Sequence, residues 1–192
     1  MGASFPLNGY PARGRAIAPV SPRRAPGTRG RYPPCEEEWM SSTITEIVDV
    51  DVPVSTAYNQ WTQFESFPEF MEGVEEIRQL DATHTHWVTR FGGVGREFDA
   101  TITEQHPDER VAWRSDSGPD HAGVITFHRL ADTKTRVTAQ MEIDPEGLAE
   151  NAADKLGILD RRVKGDMLRF KQFIEQRGRE TGSWRGDVEP PG

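Results

Sequence analysis

The sequence predicts an α+β domain: a curved antiparallel β-sheet of about seven strands wrapped around one long C-terminal α-helix, with two short helices after strand 1. Three observations carry this. A first strand-like run precedes two short helical segments. Six further runs follow, joined by connections short enough to favour antiparallel neighbours. The chain then closes on one apolar stripe, from Leu148 to Ile174, at spacings of three and four. A lone helix of that length can bury its stripe only against the sheet, so the sheet must bend around it.

The elements follow in order. Thr43–Asp51 alternates, with Ile44, Val48 and Val50 on one face, and Pro53 ends it. Ser55 is a suitable N-cap for a helix over Thr56–Gln63 that presents Ala57, Tyr58 and Trp61. A second helical piece is expected over Phe67–Met71, with Pro68 in its first turn. The strands expected next are Val74–Leu80, His84–Phe91, Gly95–His106, Arg110–Ser115, Ala122–Leu130 and Thr135–Ile143. The last helix runs about thirty residues and stops at Gly178; the tail from 179 to 192 reads as frayed. Gly157 and Gly165 inside that helix each cost about 1 kcal/mol against Ala, which a bend or close packing on the sheet would explain.

Composition divides the chain. Residues 1–40 are rich in Pro, Gly and Arg without helical or strand period and read as a disordered arm; the folded domain is expected over 42–178. A translation start at Met40 would leave the arm out of the native protein, and an arm-derived peptide in native material would refute that. Six of the 23 basic residues lie before Glu36, and only Glu36–Glu38 of the 31 acids precede Ser41, so the body carries 17 − 28 = −11. Such a body repels phosphate backbones, which argues against nucleic acid as a partner. The only cysteine, Cys35, lies in the arm, so no intramolecular disulfide is possible. No apolar run approaches the ~18 residues of a membrane span. Arg23-Arg24 is followed by Ala25-Pro-Gly-Thr-Arg-Gly-Arg instead of an apolar export segment, so the cytoplasm is the expected compartment.

Alternation assigns the inner face of the sheet. Phe98, Ala100 and Ile102 share one face with Val111, Trp113, Ile125, Phe127, Val137, Ala139 and Met141, joined by Trp87 and Phe91. Arg96 and Glu104 fall in register with Phe98 and Ile102, Ser115 with Trp113, and Glu46 with Val48. An inward charge must sit at a strand end, meet a partner or line a wet pocket. An empty sealed void of about 500 Å³ would cost about 12 kcal/mol, close to a whole domain's stability. Any large cavity must therefore open to water or hold a ligand; a collapsed core is the alternative.

The segment Val52-Pro-Val-Ser-Thr-Ala-Tyr-Asn-Gln-Trp through Phe67-Pro-Glu-Phe-Met-Glu-Gly-Val74 resembles the opening of the polyketide cyclase/dehydrase and coenzyme Q-binding START-like proteins. Arg96–Ser115, Gly123-Val-Ile-Thr-Phe127 and Asp166–Glu175 fit the same group. The resemblance implies the helix-grip fold of the START/Bet v 1-like superfamily, whose members bind hydrophobic ligands between sheet and helix. Aromatase/cyclases of the group have a pocket wall resembling Phe67-Pro68 through Met71, and an arginine on a central strand where this chain has Thr103 or Glu104. Neither replaces a guanidinium.

Other chemistries are poorly supported. His84 and His86 lack a matching carboxylate cluster for a metal, and Gly92-Gly93-Val-Gly95 lacks the residues of a phosphate loop. Asp160-Arg161-Arg162 reads as a solvated helix face. The leading expectation is a binder of a hydrophobic small molecule (a lipid, isoprenoid quinone or polyketide-like aromatic) with no cofactor and no metal. Phe67, Met71, Trp87, Phe98 and Trp113 are its expected walls, and Arg96, Glu104 and Ser115 its polar anchors. The alternatives are an aromatase/cyclase or dehydratase, with Glu104 moving protons, and a protein-interaction module marked by a large exposed apolar patch. The sequence leaves the oligomeric state open.

Overall fold

The computed structural model describes residues 42–91, 93–116, 121–143 and 152–190, apart from the side chains of Ser42, Phe91, His121, Ile143 and residues 152–155. The arm, Leu148 and the inward assignment of Phe91 therefore lie outside the described residues. Seven strands form one sheet: β1 Ser42–Val50, β2 Val74–Gln79, β3 His84–Phe91, β4 Val94–His106, β5 Arg110–Ser115, β6 His121–Ala131 and β7 Lys134–Ile143. Their order is β1-β7-β6-β5-β4-β3-β2, with every neighbouring pair antiparallel. Helix α1 (Val54–Trp61) and a 3-10 helix (Phe64–Glu69) follow β1, and α2 (Ala152–Arg177) follows β7.

The helix ends differ partly from expectation. Helix α1 begins at Val54, because Pro53 is already extended and its carbonyl accepts the Ala57 N–H at 3.1 Å; Ser55 is inside the helix and caps nothing. The second helical piece starts three residues earlier than Phe67, and its 3-10 turns hold Pro68 in the interior. At the end of α2, Gly178 takes φ +66 and donates its N–H to Ile174 O at 2.9 Å, a left-handed cap that suits glycine. A Cβ at Gly157 would meet nothing within 4 Å, so close packing does not account for that glycine. At Gly165 a Cβ would stand 3.2 Å from the Arg169 guanidinium, so there the missing side chain makes room for Arg169.

Residues 179–190 are not frayed. They fold back as a strap over α1 and the β4–β5 turn. Thr181 exchanges hydrogen bonds with Gln60, the Trp184 N–H reaches Thr62 Oγ1 at 3.0 Å, and Val188 pairs with Gln105 through two backbone hydrogen bonds. Beyond Thr101, β4 has no β3 partner, so Val188 covers an otherwise open strand edge.

The core is packed at one end of the grip. Trp61 stands edge-on to Phe170 at 4.9 Å and to Phe67 at 5.4 Å, and Phe70 packs on Phe170 and Phe173. Tyr58 meets Phe127 edge-on at 5.5 Å, while its hydroxyl accepts from buried Gln105 at 3.1 Å. This end takes in the end of β1, the start of β7 and the C-terminal half of α2, which is tied down by Lys171 to Asp49 O and by Glu175 to the Asp51 N–H.

Candidate functional site at the open end of the grip

Antiparallel order places the beginnings of β1, β2, β4 and β6 and the ends of β3, β5 and β7 at one edge of the sheet. Several apolar side chains are only half-buried there, although Ile44 near the start of β1 is fully buried. Met71, Val74 on β2, Phe98 on β4, Met141 on β7 and Val163 on α2 pack against the core yet keep surface exposed. Five parts of the chain thus present greasy, partly accessible side chains toward one end, while the other end is closed by Trp61, Phe67, Phe70 and Phe170.

The expected site residues divide among three places. Trp87 and Phe98 lie opposite each other on β3 and β4 and stack at 5.9 Å, and Phe67 packs edge-on against Trp87 at 6.0 Å. Phe67 itself is fully buried and belongs to the closed core. The Trp87 indole N–H is satisfied by Thr85 Oγ1 at 2.9 Å. Trp113 and Ser115 share the inner face of β5, where Ser115 lies opposite Ala100. The Trp113 N–H is buried without a hydrogen-bond acceptor among the described residues, a state that costs about 1–3 kcal/mol. Arg96 lies opposite Thr89 and is exposed near the start of its strand, so it stands at the rim and not in the interior.

Glu104 corrects the sequence reading. A bulge between Ile102 and Glu104 inserts one residue into β4, and a single insertion flips every later side chain to the other face. Gln105 therefore points inward. Glu104 turns to the outer face, where Arg110 Nε stands 2.9 Å and His106 Nε2 3.4 Å from its carboxylate. No carboxylate enters the interior from the middle of β4.

Gly123 lies opposite Trp113 in the β5–β6 register, and a Cβ there would overlap the indole benzo ring. The glycine lets the indole lie flat on the sheet and keeps it out of the open end. Gly123→Ala is expected to lift the ring toward the interior and to cost about 1–3 kcal/mol; urea unfolding and tryptophan fluorescence check both effects. An unchanged spectrum together with unchanged stability would contradict this packing.

Sequence reading missed a charged group at this end. Asp160 and Arg161 are exposed as expected, but Arg162 is half-buried. Asp166, one turn on, accepts the Glu72 N–H at 2.9 Å and pairs with Arg169, whose Nε also reaches Phe70 O at 2.9 Å. Burial pushes the Asp166 carboxyl up and the Arg162 guanidinium down from their ordinary ranges. The available signal was position: Arg162 directly precedes Val163 of the apolar stripe, and Asp166 directly precedes Met167.

The polyketide cyclase/dehydrase and lipid transport family matches residues 50–172, which hold β2 to β7, α1 and most of α2. The chain belongs to that family. Over 148 residues, 77% of this chain and 99% of the relative, it is 59% identical to an uncharacterized 17.2 kDa protein from the melC2–rnhH intergenic region of Streptomyces lincolnensis. Among solved structures it is similar to the Zhui aromatase/cyclase from Streptomyces sp. R1128, with TM-score 0.61, 11% identity, and coverage of 75% of this chain and 99% of that one. A START superfamily protein from Mycobacterium smegmatis matches with TM-score 0.53 and 11% identity, covering 66% and 97%. At such identities the likeness shows the fold, and the fold of this polyketide cyclase/dehydrase family member is the START-like helix grip. Among the described residues no helix is long and apolar enough to cross a membrane.

Proposed function

We propose that this family member binds a hydrophobic small molecule at the open end of the grip, between the N-terminal half of α2 and the inner face of the sheet. The observation that supports this best is the contrast between the two ends, one closed by the fully buried Trp61, Phe67, Phe70 and Phe170 with half-buried Phe173 and Val54 at their margin, the other lined by half-buried Met71, Val74, Phe98, Met141 and Val163. Trp87, Trp113 and Ser115 form the wall behind them. A carbonyl or hydroxyl oxygen on the ligand would give the Trp113 N–H the acceptor it lacks among the described residues. This favours a molecule carrying oxygen over a pure hydrocarbon.

The interaction-module alternative gains little, because among the described residues the exposed large apolar side chains come from β1, the β2–β3 turn, β4, β6 and α2. A cyclase or dehydratase needs an inward group to move protons, and the outward turn of Glu104 removes the residue the sequence favoured. The test is thermal shift with a hydrophobic library together with native mass spectrometry of gently purified protein. Bound ligand is expected in the wild type and its loss in Val163→Trp, which fills the opening while the closed core keeps the variant folded. An unliganded wild type that no library member stabilises would refute the proposal.

A further inference from the structure

We propose that His84 and His86, side by side on the outer face of β3, form a binding site for a divalent transition-metal ion such as zinc. The site is separate from the hydrophobic one, because Thr85 and Trp87 of the same strand are buried on the inner face. Residues two apart on a strand project from one face with their backbones about 6–7 Å apart, which lets two imidazoles share one ion. In sequence the pair lacks carboxylates to complete a ligand set. In the fold, carboxylates stand behind the rings instead.

Each ring is held in the same way. His86 Nδ1 stands 2.7 Å from Asp99 Oδ1 on the neighbouring strand, and His84 Nδ1 stands 2.9 Å from both oxygens of Asp81 at the β2–β3 turn. A carboxylate only accepts, so each neutral imidazole keeps its proton on Nδ1 and a lone pair on Nε2. Metal-bound histidines have this arrangement, a carboxylate behind the ring fixing its tautomer and its aim. Among the described residues the polar contacts of both rings are made at Nδ1. Their side chains are 48% and 20% exposed, so the pair lies at the surface. Asp99 and Asp116, the latter bonded to Thr101 across from His84, add negative field at His84. Arg78, across from His86, stands 3.2 Å from Glu76. Among the described residues no three His, Cys, Asp or Glu side chains converge as a finished cage, so the two imidazoles would hold the ion and water its other positions. Imidazole suits zinc, copper and nickel, whereas magnesium and calcium prefer oxygen.

Calorimetric titration of the metal-free full chain with zinc chloride and magnesium chloride, in mildly alkaline buffer, tests the inference. Zinc is expected to bind at least about tenfold tighter than magnesium. Asp99→Asn, which keeps both ligands, should weaken zinc about tenfold, and His84→Gln or His86→Gln should each weaken it further. Nitrogen NMR of the wild-type imidazoles gives a reading that needs no variant: both Nε2 signals should move together as zinc is added. Absence of zinc binding, magnesium binding as tightly as zinc, undiminished affinity in both glutamine variants, or zinc shifts that spare these two rings would overturn the inference.

Discussion

Removing residues 179–192 is expected to destabilise the domain by about 2–4 kcal/mol, read as a lower urea midpoint. The strap supplies partners to side chains that the body buries. Asn59 donates to Glu180 at 2.9 Å and accepts from Arg185 at 2.9 Å; Gln60 is bound through both ends of its amide by Thr181. Arg185 also grips both oxygens of Asp108, at 3.0 and 2.7 Å, and lies over the Tyr58 ring. Each such bond is worth about 0.5–1.5 kcal/mol net, because water replaces the lost partner, and the freed strap regains chain entropy. The expected loss is therefore well below the sum of the bonds. Unchanged stability would show that the strap is decoration.

The same strap should loosen as pH rises. Its Asp187 bonds His106 Nδ1 at 3.0 Å, and that hydrogen bond, with the charges of Glu189, Asp187 and Glu104, raises the imidazole above 6.5 against a smaller opposing effect of burial. A raised folded-state value means that the stabilisation is complete below 6.5 and fades as pH climbs through the raised value. The protection factors of the Gln105 and Val188 amides, taken relative to the base-catalysed intrinsic exchange rate, should fall across that window in wild type, and not in His106→Gln.

Trp61→Ala is expected to cost about 3–5 kcal/mol, the largest loss from any single substitution considered. Trp61 is fully buried and touches Phe67, Phe70, Phe127 and Phe170, so it joins α1, the 3-10 helix, β6 and α2. Its deletion leaves a cavity among rings that cannot collapse together. Phe98→Ala, in the half-buried wall, should cost clearly less, because water already reaches that side chain. If the two losses were equal, the distinction between a closed and an open end would fail.

Most of the sheet was legible in the sequence because period-two alternation and short turns are local signals. Phe98, Ala100 and Ile102 needed nothing beyond their spacing to be placed inward. Glu104 was misread because a bulge adds one residue without altering composition, and only the pairing of Ile102 with Trp113 and of Glu104 with Ala112 reveals it. The strap was missed because irregular backbone has no period; its order comes from partners some 120 residues away, such as Gln60 for Thr181. It also lies beyond the residues matched by the family. Arg162 was hidden because a charged residue at the flank of a stripe looks, in one dimension, like one on the solvated face. Gly123 likewise acquires meaning only from the strand that sets Trp113 across from it.

The methionines provide the most direct measurement. Met71 and Met141 are half-buried at the open end, whereas Met167 is fully buried in the closed core. In protein labelled with carbon-13 at the methionine methyls, titration with dodecanoate should move the Met71 and Met141 signals together and leave Met167 in place. A saturating shift confined to Met167, or no shift at any methionine, would contradict a ligand site between the N-terminal half of α2 and the sheet.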